Sequence, residues 1–230
     1  MYNKIFYVPG NHEYYNLLNN KKSKTECDEE LDLLSSKFDN IVILNNKTYY
    51  IDDVKMIGTT LWSNIPDEQS VYINKSINFS TEKSVFVSKI NDYYMIKKYD
   101  NHKLVPITTD DTNKWNRESI EFIQQQTDNI DVPCIILTHH SPLFSDDTLN
   151  IYTAHPKYLN GKNNFAFHND LKYLLKKPIG AWLYGHTHYT NQFNYNGVII
   201  GTNQLGYNNE ETNFNPYVYI DLNKLYCNNI

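Results

Sequence analysis

The chain has 230 residues, of which 40% are hydrophobic and 14% aromatic, enough for one packed domain over residues 1–230. Its net charge of -5 argues against a nucleic-acid partner, because binding a phosphate backbone needs a basic face. No apolar run approaches membrane-spanning length, and the first residues resemble a strand rather than a signal peptide. Three cysteines far apart in sequence, Cys27, Cys134 and Cys227, are typical of reduced thiols. We therefore expect a cytoplasmic protein without a membrane partner.

The first half of the chain alternates short apolar segments with one amphipathic segment. Ile5–Val8 is an apolar run that Pro9 and Gly10 stop, as at the end of a buried strand. Apolar residues at helical spacing, behind acidic residues in the first turn, predict a helix over 28–38. Three further strands are predicted at Ile41–Leu44, Thr48–Ile51 and Val54–Gly58. Residues 64–112 lack a clean period, and we interpret them as an irregular insertion over one edge of the core.

The second half begins with a long amphipathic segment and ends with clustered strands. Apolar spacing predicts a helix over 115–126, with Asp110 or Thr112 as its cap. Cys134–Thr138 is a continuous apolar run, which is typical of a strand buried on both faces. The remaining predicted elements are a helix around Leu171–Leu175 closed by Pro178, a strand at Ala181–Tyr184, a hairpin at Phe193–Ile200 turning at Asn196-Gly197, and a strand pair at Tyr217–Asp221 and Leu225–Cys227.

This order of elements favours an α/β fold with two sheets inside and helices outside, a layered α-β-β-α sandwich. Polar motifs follow three of the predicted strands. The motifs are Pro9-Gly10-Asn11-His12-Glu13, Thr138-His139-His140-Ser141-Pro142 and Gly185-His186-Thr187-His188. Open α/β sheets bind their ligands at the carboxyl ends of strands, so we expect these side chains to share one pocket.

Imidazole nitrogens and amide oxygens are ligands for divalent cations, which indicates a metal site. Alternate residues of an extended segment point to the same side, so His186 and His188 could reach two neighbouring ions. The remaining histidines, His102, His155 and His168, are expected at the surface or in loops. The alternative for His155 and His168 is a position that lines the pocket.

The three motifs resemble the later metal-site motifs of the calcineurin-like metallophosphoesterase family. The resemblance implies a fold of the metallo-dependent phosphatase type, two divalent ions (Mn, Fe, Zn or Mg) and hydrolysis of a small phosphorylated substrate. It also implies that Asn11 and His186 bind the second ion and that His188 binds the first. By the same resemblance, His12 lies beside the scissile bond, where it stabilises the phosphoryl oxygens or protonates the leaving group.

One further ligand is implied in the middle motif, and the sequence leaves two alternatives. Counting from the strand favours His139, whereas counting back from Pro142 favours His140. The resemblance also covers Gly58-Thr59-Thr60-Leu61-Trp62 and the segment Gly201–Tyr207, which look like recurring segments of a bacterial-type branch. It therefore extends from Ile5 to about Asp221.

The family has two earlier motifs, an Asp-x-His and a Gly-Asp, and neither occurs before Asn11. We therefore expect a chain truncated at its N-terminus relative to the family and missing the first strand–helix units. In the family, the Asp of the Gly-Asp motif binds both ions. Without this bridging carboxylate, this chain alone should bind metal weakly and hydrolyse phosphoesters poorly. Two alternatives remain: a phosphoesterase completed by a longer product or a second chain, and an inactive remnant that acts as a pseudoenzyme or interaction module.

Overall fold

The computed structural model describes residues 3–15, 22–73, 90–161, 163–222 and 225. The strands are β1 (Ile5–Tyr7), β2 (Ile41–Ile43), β3 (Lys47–Ile51), β4 (Val54–Thr59), β5 (Lys97–Asp100), β6 (Lys103–Pro106), β7 (Cys134–Thr138), β8 (Ile179–Tyr184), β9 (Asn191–Tyr195) and β10 (Val198–Thr202). The α-helices are α1 (Lys24–Ser35), α2 (Asp67–Ile73), α3 (Asp92–Met95) and α4 (Thr109–Thr127).

A six-stranded sheet forms the centre, in the order β3-β4-β7-β8-β10-β9. Strands β4, β7, β8 and β10 are parallel neighbours, and β3 and β9 pair antiparallel at the two edges. The inner strands are buried on both faces, which accounts for their continuous apolar sequences. Because successive side chains point to opposite faces, Ile135 and Ile136 enter two different cores.

Each face of this sheet is covered by another layer. On one face, Ile136 and Trp182 pack with Ile123 of helix α4. On the other face, Met56 and Ile135 pack with the short parallel sheet of β1 and β2, and α1 lies against β2. The predicted α/β class and the layered α-β-β-α arrangement are confirmed.

Several predicted boundaries were wrong for local reasons. Helix α1 begins at Lys24 rather than at residue 28, because Ser23 and Glu26 form a reciprocal capping box before it. The predicted helix at Leu171–Leu175 is only a 3₁₀ turn over Lys172–Leu174, because the amides of Leu174 and Leu175 donate to carbonyls three residues back instead of four. Helix α4 is capped by Thr108, not by Asp110 or Thr112.

The range 64–112, predicted to be irregular, holds regular elements in its described parts. These are α2, α3, the β5–β6 hairpin and the first turn of α4, while residues 74–89 lie outside the described residues. The hairpin turns at Asn101 and His102, which both have positive φ. Burial does not alternate along either strand of the hairpin, so the sequence carries no period-2 pattern there.

The chain end also differs from its prediction. Residues 217–221 are the end of a turn and irregular backbone rather than a strand, and of the predicted strand Leu225–Cys227 only Leu225 is described. Cys27 and Cys134 are free thiols, while Cys227 falls outside the described residues. In the part of the chain that the structure describes, every helix is too short or too polar to cross a bilayer.

Candidate metal centre

The loops that follow β1, β7 and β8 meet at one cleft with a volume of about 1070 Å³. Asn11, His12, His139, His186 and His188 all line this cleft. The structure therefore brings together in one cleft the predicted site residues, with the exception of His140. Whether these residues bind metal stays a prediction.

The loop after β1 is held close to the loop after β7. The Gly10 amide donates to Glu13 Oε2 at 2.7 Å, and the Tyr7 hydroxyl donates to Glu13 Oε1 at 2.5 Å. A Cβ on Gly10 would lie 2.6 Å from His139 Cε1, which is closer than real Cβ contacts. Gly10 is thus required by the close approach of the histidine ring, and not by a positive φ.

Three ligand-type atoms face one another at the base of the cleft. His139 Nε2 lies 2.9 Å from Asn11 Oδ1 and 3.0 Å from His186 Nδ1. Adjacent ligands of an octahedral ion with bonds of ~2.1 Å are about 3 Å apart, so this spacing fits a single divalent cation. The donor set of two imidazoles and one amide oxygen suits Mn²⁺, Fe²⁺ or Zn²⁺.

The oxygen of this set, Asn11 Oδ1, belongs to an amide rather than to a carboxylate, so it carries no negative charge. Among the described residues, no three His, Cys, Asp or Glu side chains converge in a way that could hold an ion. The set of Asn11, His139 and His186 is neutral, so it contributes no counter-charge of its own.

His140 points away from this set. It is buried, its Nδ1 donates to the Thr60 carbonyl at 3.2 Å, and its ring packs 5.6 Å from the ring of Trp62. The structure therefore places His139 rather than His140 against Asn11. His140 packs behind His186, with 4.3 Å between the two ring centroids.

The Gly185–His188 loop is a turn and not an extended segment. His186 and His188 both have positive φ, at 70° and 49°, and the Thr187 amide donates to the Gly185 carbonyl at 2.8 Å. The argument from alternating side chains was therefore wrong. His188 lies nearer the mouth, where its Nδ1 is 2.6 Å from Glu210 Oε2.

Gln204 fixes the turned loop from behind. Its Oε1 accepts from the His188 amide at 2.7 Å, and its Nε2 donates to Thr187 Oγ1 at 2.9 Å. The recurring segment Gly201–Tyr207 thus positions the histidine loop. The sequence marked this segment only by its resemblance, without a role for the glutamine.

His12 stands at the exposed mouth of the cleft. Its ring lies 4.4 Å from the ring of Tyr15, and its Nε2 lies 3.5 Å from the hydroxyl of Tyr207. Tyr207 and Leu205 are 57% and 70% exposed on the same side. Because His12 is exposed and lines the cleft, its imidazole is accessible to a ligand that enters.

Burial keeps the inner imidazoles neutral. Loss of water, with a smaller effect from His12, lowers the pKa of His139 to about 3. Burial likewise holds the pKa values of His140 and His186 well below the ordinary value. Neutral imidazoles with free lone pairs are the form that binds metal.

His168 lies in a loop, as expected, but it is buried rather than at the surface. Its Nδ1 donates to the Asn164 carbonyl at 3.0 Å, and burial lowers its pKa to about 4. Within the described residues, its Nε2 is buried without a hydrogen-bond partner. His168 and the exposed His155 both line the cleft.

Sequence reasoning missed Asp92, which lies in the segment predicted to be irregular. This buried carboxylate accepts from Asn11 Nδ2 at 2.7 Å and from the Tyr15 hydroxyl at 2.5 Å. Burial raises the pKa of Asp92, while its two donors oppose that effect. No sequence motif surrounds it, and 81 residues separate it from Asn11, so no local signal could have found it.

Comparisons with known proteins bear on the family and the fold of this chain. A sequence model of the calcineurin-like phosphoesterase family matches residues 1–190. "Uncharacterized protein L509" of Acanthamoeba polyphaga mimivirus is 55% identical over 230 residues, which are 100% of this chain and 78% of that protein. The crystal structure of phosphopantetheinyl hydrolase (PptH) from Mycobacterium tuberculosis is similar with a TM-score of 0.60 and 15% identity, over 95% of this chain and 77% of that one.

At 15% identity, the likeness to PptH shows the fold alone. The layered α/β sandwich, with its strand-end loops around one cleft, defines a fold of the phosphoesterase type. With the family match over residues 1–190, the chain belongs to the calcineurin-like phosphoesterase family, whose members are hydrolases. The family predicted from the three motifs is confirmed.

Proposed function

We propose that this protein is a metal-dependent phosphoesterase that hydrolyses a small phosphate ester. The observation that carries the proposal is the group of ligand atoms at the cleft base, where His139 Nε2 lies 2.9 Å from Asn11 Oδ1 and 3.0 Å from His186 Nδ1. These three residues would hold a divalent cation. When bound, such an ion polarises the phosphoryl group and lowers the pKa of a bound water.

The protein side chains would supply binding and proton transfer. His12 is exposed at the mouth, where its imidazole can hold a phosphoryl oxygen or donate a proton to the leaving oxygen. Tyr207 and Leu205 offer an exposed apolar surface beside it for the leaving group. The buried imidazoles stay neutral at pH 7 because burial lowers their pKa values, so they add no positive charge that would repel a cation.

The first experiment measures hydrolysis of p-nitrophenyl phosphate by the purified chain with Mn²⁺. We expect slow, Mn²⁺-dependent hydrolysis that is lost in His12→Ala and in Asn11→Ala. His102→Asn is the matched control, because His102 is exposed and outside the cleft. Hydrolysis that persists unchanged in both cleft variants would contradict the proposal.

A pseudoenzyme or interaction module is the second candidate. The neutrality of the ligand set favours it, because two divalent ions held close together need carboxylates to offset their charge. A chain that binds Mn²⁺ but gives no hydrolysis above a protein-free control would support this second function.

We also propose that a further segment or a second chain supplies the missing Asp-x-His and Gly-Asp motifs. Within the described residues, β1 pairs with β2 on one side only, and Ile5 on β1 is 40% exposed. A strand added parallel to β1 along this edge would place its carboxyl end near the Asn11 loop. The test is to add a separately expressed family segment that bears Asp-x-His and Gly-Asp, and to measure the Mn²⁺ dissociation constant. An unchanged constant would contradict this proposal.

A further inference from the structure

The orientation of the Asn11 amide decides whether the base of the cleft can bind a cation. An amide presents an acceptor oxygen on one side and an NH₂ donor on the other, and the two have nearly the same shape. Only the orientation that turns Oδ1 toward His139 Nε2 places a ligand atom among the imidazoles. The opposite orientation would point two N–H groups at the site and repel a cation.

Asp92 selects between these two orientations. Asp92 Oδ1 already accepts from the Tyr15 hydroxyl, so it meets the Asn11 NH₂ group as an acceptor and does not pair with the amide oxygen. The distance from Asn11 Nδ2 to Asp92 Oδ1 is 2.7 Å, and both side chains are buried. A flip of the amide would place two oxygens against each other without water, which is strongly unfavourable.

The position of Asp92 is itself fixed. The Tyr15 hydroxyl donates to the same Oδ1 at 2.5 Å, and the Asp92 carbonyl accepts from the Ile96 amide at 3.0 Å at the end of α3. Tyr15 belongs to the Asn11 loop, while Asp92 comes from a distant part of the chain. The contact therefore joins α3 to the cleft.

We propose that Asp92 is a positioning residue, which with Tyr15 holds the Asn11 amide oxygen toward His139 and His186. The effect of this orientation on metal binding rests on the proposed function. The orientation itself does not, because it exists in the metal-free protein. The two claims therefore have separate readouts.

The first readout is the tautomer of His139 in the metal-free protein, measured by ¹⁵N NMR near pH 7. Because Asn11 Oδ1 can only accept, we expect His139 to carry its proton on Nε2 in the natural chain. In Asp92→Ala the amide is free to flip, and the population with a proton on Nδ1 should rise. An unchanged tautomer in Asp92→Ala would overturn the inference.

Two further variants, Asp92→Leu and Asp92→Asn, test whether the tautomer depends on the hydrogen-bond acceptor at this position. Asp92→Leu fills the volume without an acceptor, so it should reproduce the alanine result if the alanine variant does not fold. Asp92→Asn keeps an acceptor oxygen for Asn11 Nδ2 but cannot ionise, so it should keep the natural tautomer. A shift in Asp92→Asn equal to that in Asp92→Leu would contradict positioning through the hydrogen bond.

Asp28 offers a matched control. It also accepts from a tyrosine hydroxyl and an asparagine amide, Tyr14 at 2.8 Å and Asn45 at 2.9 Å, but it does not line the cleft. Asp28→Ala should lower stability without changing the His139 tautomer. An equal tautomer change in this variant would show that the Asn11 amide responds to general destabilisation of the fold and is not oriented by Asp92 in particular.

The second readout is the Mn²⁺ dissociation constant, measured by calorimetry. We expect Asp92→Ala to raise it about 10- to 100-fold, the usual range for partners that orient a metal ligand. If the natural chain binds no Mn²⁺ while Asp92→Ala still shifts the tautomer, the proposed function fails and the positioning role stands. If Mn²⁺ binds equally to the natural chain and to Asp92→Ala, and the tautomer is the same in both, the positioning role fails while the proposed function stands.

Discussion

At the scale of single residues, the space around Gly10 is the most restrictive feature of the site. A Cβ at this position would lie 2.6 Å from His139 Cε1, whereas at Gly185 it would lie 3.6 Å from His139 Nδ1. Both glycines therefore touch the same ring, one too closely for any side chain and the other at an ordinary distance.

We predict that Gly10→Ala lowers the free energy of unfolding by about 1–3 kcal/mol, because the new methyl group must displace a packed ring. The same displacement should weaken Mn²⁺ binding. Urea unfolding and calorimetry measure the two effects. Gly185→Ala is the control, and equal losses in both variants would contradict a role for the Gly10 contact.

His168 provides a test of pH dependence. Burial lowers its pKa from 6.5 to about 4 in the folded protein, so the unfolded chain binds more protons between these values. The stability of the fold is therefore expected to fall as pH drops through this window. The slope from one such imidazole is at most about 1.4 kcal/mol per pH unit.

Urea unfolding with EDTA at several pH values measures this slope. We predict a flatter dependence for His168→Asn, whose amide can replace the donor to the Asn164 carbonyl without titrating. His102→Asn is the control, since His102 is exposed and its positive φ suits asparagine. A slope that is unchanged in His168→Asn would argue against the lowered pKa.

At the scale of elements, helix α4 fixes the loop after β4. Asn116 of this helix donates from Nδ2 to the carbonyls of Leu61 and Trp62, both at 3.0 Å. Leu61 and Trp62 have positive φ, which is unusual for large side chains. The helix therefore holds a strained turn in place, and Trp62 then packs against His140 behind the site.

We predict that Asn116→Ala lowers the free energy of unfolding by about 2 kcal/mol, because the Leu61 carbonyl stays buried without its partner. Urea unfolding measures the change. Gln125→Ala on the exposed side of the same helix should change stability by less than about 0.5 kcal/mol. A loss in Asn116→Ala no larger than in this control would contradict the account.

At the scale of the whole molecule, metal binding and folding are expected to be linked. The proposed ligands come from three separate loops, so an ion can bind the folded chain far better than the unfolded one. We predict that Mn²⁺ at about ten times its dissociation constant adds about 1.4 kcal/mol to the free energy of unfolding. EDTA should remove the gain, and Asn11→Ala should show none. A full gain in Asn11→Ala would place the ion elsewhere.

Much of this protein could be predicted from its sequence. Buried strands such as Cys134–Thr138 follow from continuous apolar runs, and the Asn196-Gly197 turn follows from two residues that tolerate positive φ. The strand-end positions of Asn11 and His186 follow in the same way. These features depend on local backbone chemistry and on the period of apolar residues, which a sequence displays directly.

Only the tertiary structure decided which side chains meet. It brought His139 rather than His140 against Asn11, turned the Gly185–His188 loop, and supplied Asp92 from 81 residues away. These outcomes depend on how layers pack and on where buried polar groups find partners. Such long-range contacts leave no periodic signal along the chain, because each is set by the whole arrangement and not by the residues beside it.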